Sequence, residues 1–190
     1  VLGMIQLVLL TELTPPQRRY CEGVFSSAES LLGILNDILD FSKIEANKLD
    51  IENIPFNLQT TVEQMLDPLA IRAEEKGVEF ACFIEQGVPR DVISDPGRIR
   101  QILINLVGNA IKFTRKGSVT VRFHLESETD DIAHIRIYVQ DTGEGMSDQT
   151  LQRLFTPFTQ ADVSTTRIYG GTGLAITKRL TEMMGGEIGV

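Results

Sequence analysis

Asp95-Pro-Gly-Arg-Ile-Arg-Gln-Ile-Leu-Ile-Asn105-Leu-Val-Gly-Asn109-Ala-Ile-Lys112-Phe-Thr114 is the stretch on which the reading of this chain turns. Asp95 is a favoured helix N-cap and Pro96 a favoured first helical residue. At about 100° per residue, Asn105, Asn109 and Lys112 fall within a sector of roughly 60°. Ile99, Ile102, Leu103, Leu106, Val107, Ala110 and Phe113 make a separate apolar face, read as core. Gly108 lies beside the polar stripe, where a missing side chain leaves room for a ligand. Amide oxygens coordinate Mg²⁺, which takes phosphate oxygens and waters as its other ligands. A lysine one turn further on reaches phosphate as a point charge. Taken alone, Asn-x-x-x-Asn describes a solvated helix face equally well, so the assignment needs support from elsewhere.

That support comes after the next strand. Ala133-His-Ile-Arg-Ile-Tyr-Val-Gln140 alternates loosely at period two, as a half-buried strand does, and runs into Asp141-Thr-Gly143-Glu-Gly145-Met146. Glycines at a strand exit permit positive φ and a close approach of backbone to ligand. A carboxylate there can accept a hydrogen bond from an exocyclic amine such as that of adenine. A third glycine cluster, Tyr169-Gly-Gly171-Thr172-Gly173-Leu174-Ala-Ile176, opens a helix predicted through Met184. Backbone amides at a helix start form an anion site. Between them lie Phe155-Thr-Pro-Phe158 and a polar run, Thr159 to Arg167, with the composition of a loop that closes over a ligand. An amide–ammonium stripe with an acidic glycine turn fits a magnesium-nucleotide pocket.

These segments, in this order, resemble the ATP-binding part of sensor histidine kinases in the GHKL superfamily. Asp95 to Thr114 is similar to the family's N box, Asp141 to Met146 to its G1 box, Leu154 to Phe158 to its F box and Gly170 to Ile176 to its G2 box. Asn36-Asp-Ile-Leu-Asp-Phe-Ser-Lys-Ile-Glu45 resembles hybrid sensor kinases of the BarA and GacS type. The resemblance implies ATP and Mg²⁺ as cofactors. It implies that Asn109 ligates Mg²⁺ with Asn105 in support, and that Lys112 contacts phosphate. It assigns Asp141 to the adenine amine, Gly143 and Gly145 to the shape of the adenine pocket, and Gly171, Thr172, Gly173 and Leu174 to the phosphates from the lid side.

Relatives that hydrolyse ATP for conformational work, such as Hsp90, MutL and gyrase B, carry a glutamate where this chain has Asn105. An amide has no basic lone pair at neutral pH and cannot activate water, so the pattern favours phosphoryl transfer to a protein nucleophile. The chain has two histidines, His124 and His134, and both are read as ordinary strand residues. In the family the acceptor histidine sits in a helix just before a run like Val1-Leu-Gly-Met-Ile5, so the resemblance implies an acceptor outside the chain, a few residues before Val1. Two departures from the family pattern are expected to weaken ATP binding. The G2-like segment lacks a Gly-Leu pair of the usual Gly-Thr-Gly-Leu-Gly-Leu, and Glu144 replaces an apolar residue between the G1 glycines. They keep open a second function, a non-catalytic signalling module that acts by dimerisation through its hairpin.

Thr14-Pro-Pro-Gln17 reads as a capping box with proline at the first helical position. Val24, Ala28, Leu31, Leu35 and Ile38 then keep the 4-3-4-3 spacing of a coiled-coil or bundle seam, widened by Phe25, Leu32, Leu39 and Phe41. With Val1 to Leu10 as the end of a preceding helix this predicts an antiparallel hairpin, residues 1–48, that cannot bury so broad a face alone. The expected cover is a second copy in a four-helix bundle, with packing against the chain's own ATP-binding domain as the alternative. The resemblance makes this segment part of a dimerisation and phosphotransfer hairpin serving a response-regulator receiver domain.

Residues 49–190 are expected to form the catalytic domain, an α+β two-layer sandwich of the Bergerat type: a strand over Leu49 to Phe56, a helix from Leu58 to Lys76 ended by Gly77, a strand from Val78 to Ile84, the Asn-bearing helix, two strands joined near Glu126 to Asp131, a short helix around Gln149 to Phe155, the last helix, and a truncated strand from Glu187. Eighteen basic against 26 acidic residues give a formal charge of −8, and without a basic cluster nucleic-acid binding is excluded. No apolar run reaches the ~18 residues of a membrane span and no signal peptide is visible. The two cysteines, Cys21 and Cys82, are read as reduced and buried in a cytoplasmic setting.

Overall fold

The computed structural model describes residues 1–46, 48–156 and 173–190. The chain forms two compact units: Val1–Leu49 with Thr156–Ile176, and Asp50–Phe155 with Thr177–Val190.

In the first unit, α1 (Leu2–Leu9) and α2 (Pro15–Glu45) make a helical hairpin. Thr14 starts α2: its backbone N–H donates to Gln17 Oε1 at 3.0 Å and its hydroxyl donates to the same oxygen at 2.8 Å. Pro15 occupies the first helical position, where no amide partner is needed. Val24, Leu31, Leu35 and Ile38, on the seam read from the sequence, are 48, 59, 49 and 46% exposed. That leaves an apolar stripe along α2 with little of this chain covering it.

The second unit is an α/β sandwich. It contains β1 (Ile54–Asn57), α3 (Leu58–Lys76), β2 (Val78–Ile84), β3 (Asp91–Ser94), α4 (Pro96–Phe113), β4 (Gly117–Glu128), β5 (Ala133–Asp141) and α5 (Asp148–Arg153). Helix α6 (Gly173–Met183) enters it from Thr177 onward. The main sheet has the order β2-β4-β5, with β2 parallel and β5 antiparallel to β4; β1 and β3 make a separate antiparallel pair. Period-two alternation decides which face is covered: Val119, Val121 and Phe123 are fully buried, while Thr120, Arg122 and His124 between them are not. Against them pack Val62, Leu66 and Leu69 of α3 and Leu103, Val107 and Ile111 of α4. Helix α3 is held at both ends: its stop at Gly77 is the one the sequence predicts, and its start is a cap that was not singled out. Asn57 Oδ1 accepts from Thr60 N at 3.0 Å, and Gly77 takes the left-handed conformation, φ +74°, that closes a helix.

Several expectations are corrected. The strand read over Leu49–Phe56 is confined to Ile54–Asn57, because its partner β3 is four residues long. Strand β3 itself was not foreseen. Strand β4 continues to Glu128, and the turn is Thr129 to Ile132, closed by Thr129 N donating to Ile132 O at 2.8 Å. Phe113, expected in the core, is 49% exposed at the end of α4, and Ile111, one turn after Val107, takes the buried place. Residues 186–190 adopt no regular structure. Cys21 is half-buried and Cys82, on the edge strand β2, is exposed, so neither is the buried thiol expected.

Candidate nucleotide site

Helix α4 carries the polar stripe and is fastened at both ends. At its start Asp95, 4% exposed, accepts from Arg98 N through Oδ1 at 3.0 Å and from Glu52 N through Oδ2 at 3.0 Å. At its end Lys76, in the last turn of α3, donates from Nζ to the carbonyls of Ile111 (2.6 Å) and Lys112 (2.7 Å). Those carbonyls lack helical partners and carry the negative end of the helix dipole, so an ammonium is well matched to them.

Between these anchors the stripe has the expected register. Asn105 and Asn109 are half-buried and Lys112 is exposed. Asn105 donates from Nδ2 to Thr177 Oγ1 at 2.9 Å; Thr177, 1% exposed on α6, fixes the amide so that its oxygen faces elsewhere. The side-chain amide of Asn109 has no hydrogen-bond partner among the described residues. A Cβ added at Gly108 would meet nothing within 4 Å. Gly108 and Lys112 border a groove of about 460 Å³ whose other wall is α3 through Leu69, Arg72 and Lys76. Lys112 Nζ also lies 4.8 Å from the centroid of the Phe113 ring, within cation–π reach.

The exit of β5 packs against the end of this helix. A Cβ on Gly143 would lie 2.7 Å from Phe113 O and 2.7 Å from Asp141 Oδ1, so only glycine fits. Gly145 has φ +69° and open space around it. The two glycines thus divide the work expected of both: one permits close approach, the other supplies the left-handed turn. Asp141, exposed at the strand end, uses Oδ1 to accept from Gly143 N at 2.8 Å, which leaves Oδ2 for a ligand. Thr142 ties the turn to β4 by accepting from Ser118 N at 2.9 Å.

The structure therefore brings the Lys112 end of α4 and the Asp141–Gly145 turn together. Gly173 and Leu174 open α6 and are half-buried. Gly171 and Thr172 lie outside the described residues, as do Phe158 and the polar run from Thr159 to Arg167. Glu144 lies 3.9 Å from Arg115 with both side chains largely exposed, a weak pair that offsets part of its charge. His124 and His134 are strand residues as read, and His124 Nδ1 lies 2.6 Å from Glu85 Oε2. Thr177, Lys76 and the second contact of Asp95 were missed. A cap signal marked Asp95, but nothing in the order of residues shows which distant amide its second oxygen receives.

Comparison with known proteins identifies the family. Residues 94–190 match the family model for histidine kinase-, DNA gyrase B- and HSP90-like ATPases. Sensor histidine kinase GacS of Pseudomonas protegens is 50% identical over 192 residues, which cover all of this chain and 21% of the relative. The histidine-protein kinase BarA of Escherichia coli K12 is 45% identical over 190 residues, 99% of this chain and 21% of BarA. The chain thus spans about a fifth of the length of these curated relatives. The solved structure of full-length ShkA in complex with AMPPNP is 36% identical, with a TM-score of 0.75 over 100% of this chain and 40% of that one. From the motif-bearing helix onward, the chain belongs to the family of histidine kinase-, DNA gyrase B- and HSP90-like ATPases, and the relatives it matches within that family are sensor histidine kinases.

Proposed function

We propose that this chain is the magnesium–ATP-binding core of a two-component sensor histidine kinase. It transfers the γ-phosphoryl group of ATP to a histidine outside the chain, for relay to an aspartate on a response-regulator receiver domain. The observation that carries this reading is the polar stripe on α4, the helix whose end lies against the β5 exit: an amide at 105 held by Thr177, a second half-buried amide at 109, and exposed Lys112 next to Phe113, whose carbonyl sits against Gly143. The donor set fits a hard cation bound partly through phosphate, since Asn109 offers a neutral oxygen beside the open space at Gly108. Asn109, supported by Asn105, holds Mg²⁺, which when bound neutralises charge on the phosphates. Lys112 contacts phosphate and Asp141 Oδ2 accepts from the adenine amine. Gly143 and Gly145 shape the adenine pocket, and Gly171, Thr172, Gly173 and Leu174 meet the phosphates from the other side. With an amide at 105, no carboxylate at that position takes a proton from water, and the bound phosphoryl group is reserved for a protein acceptor.

Residues 1–48 are, in this reading, part of the dimerisation and phosphotransfer hairpin, and residues 49–190 the catalytic domain. The exposed stripe Val24, Leu31, Leu35 and Ile38 supports a second copy of the chain as its partner, in a four-helix bundle. Among the described residues no helix is long and apolar enough to cross a membrane, and the reading places the chain on the cytoplasmic side of a sensor, where ATP is available.

Calorimetric titration with a non-hydrolysable ATP analogue, with and without Mg²⁺, tests the pocket beside an Asn109→Ala variant. Magnesium-dependent binding that the variant loses is expected. No binding by the folded chain would leave the dimerising, non-catalytic module as the better reading. A monomer by light scattering at high concentration would remove the dimer.

A further inference from the structure

Asp95 does more than cap a helix. Serine, threonine or asparagine would cap α4 equally well through a single oxygen. Only a carboxylate offers two acceptor oxygens and no donor, and here both are used, at 3.0 Å each, by amides 43 residues apart in sequence for the longer-range one. The reason lies in the ladder beside it. Strands β1 and β3 pair from Asn57↔Asp91 to Ile54↔Ser94. Two positions further, that register sets residue 52 opposite Pro96, whose carbonyl belongs to the first turn of α4. The carbonyl of Asp95 is committed as well, to Ile99 N at 3.1 Å. The amide of Glu52 would end the ladder without an acceptor, and Asp95 Oδ2 supplies one. Gly97 keeps the place open, since a Cβ there would sit 3.2 Å from Asp95 Oδ1. The segment so fastened is the one that joins α2 to β1.

We propose that Asp95 is a positioning residue that fastens the α2–β1 segment to the first turn of the nucleotide helix, so that nucleotide on α4 and order in that segment are coupled. The proposal rests on the reading of α4 as the ATP helix. Coupling of this kind is reciprocal: if nucleotide orders the segment, releasing the segment weakens nucleotide by the same factor.

Glu52 allows a clean test, because its side chain is exposed and only its backbone N–H takes part. Glu52→Pro deletes that N–H without touching α4, Glu52→Ala keeps it, and Asp95→Asn keeps the cap while turning a donor toward one of the two amides. Urea unfolding of each variant of the whole chain first fixes a denaturant-free condition in which it is fully folded. The analogue's Kd with Mg²⁺ and hydrogen exchange of the 50–54 amides are then measured. Glu52→Pro and Asp95→Asn are expected to raise Kd about five-fold, the lower end of ordinary coupling, and to abolish a nucleotide-induced slowing of exchange that wild type and Glu52→Ala both show. Wild-type binding matched by Glu52→Pro, or nucleotide that leaves 50–54 exchange unchanged in wild type, overturns the tether and spares the ATP reading. Failure of the wild type to bind the analogue overturns both.

Discussion

Thr114 ends α4 fully buried, and its hydroxyl oxygen has no hydrogen-bond partner among the described residues. Replacing it with valine exchanges that hydroxyl for a methyl of nearly the same size. A buried, unpaired hydroxyl costs about 1–3 kcal/mol by mutational measure, and valine removes the cost while keeping the packing. The backbone bond from Thr114 N to Ala110 O, at 3.0 Å, is untouched. The extended conformation there, φ −90° and ψ 112°, suits a β-branched residue. Thr114→Val should therefore stabilise the nucleotide-free chain by about 1–2 kcal/mol, a melting temperature about 2–8 °C higher at roughly 2–4 °C per kcal/mol. Thr114→Ser, which keeps the hydroxyl and loses the methyl, should destabilise by about 1 kcal/mol. Urea unfolding at constant slope gives the order Val, Thr, Ser. If valine proves less stable than threonine by more than about 0.5 kcal/mol, the hydroxyl is paired in solution and the reasoning is refuted.

Lys76→Met removes the cation from the carbonyls of Ile111 and Lys112 and, the site being exposed, should cost about 1 kcal/mol in urea unfolding; an unchanged midpoint would show the contact idle. Gly108→Ala should stabilise α4 by about 0.5–1 kcal/mol, because the space is open, yet weaken nucleotide binding in calorimetry. Gly143→Ala should cost about 1–3 kcal/mol, because the new Cβ meets a backbone carbonyl that cannot move freely. Although Cys82 is exposed on the edge strand, partial desolvation of its sulfur first and the Glu63 carboxylate second raise the thiol from its ordinary value to about 11. Its alkylation should be slow at pH 8 and climb as pH approaches 11. Because the folded state holds that proton more tightly than the unfolded chain, stability should fall as pH rises from about 9 through 11.

Much of this molecule could be read before folding was considered. The end of helix α3 is legible because Gly77 is a strong local stop signal, and α4 because its apolar residues recur at the helical period. The candidate site was legible where one element carries it: Asn105, Asn109 and Lys112 share a face by arithmetic alone. Strand β3 was not, since Asp91-Val-Ile-Ser94 is too short to show alternation and exists because β1 pairs with it. Thr177 escaped for a different reason. Its contact with Asn105 spans 72 positions, and an inward-facing threonine on a helix looks like any other until the neighbouring helix arrives. Phe113 was misplaced because periodicity extends a stripe to the last residue, whose backbone lies against the β5 exit while its side chain stays 49% exposed.

The parallel pairing of β2 with β4 also sets the order in which this unit can assemble. Val78 meets Gly117 only after the intervening chain, α4 included, has been drawn into a closed loop. The β4–β5 hairpin, with its short turn at Thr129 to Ile132, needs no such closure and can form within microseconds. Non-local parallel pairing is the slower event. The helix with the two asparagines therefore matures with the late step, and a ligand it recognises would find no site in the early hairpin. Bound nucleotide should then retard unfolding and leave the refolding rate nearly unchanged.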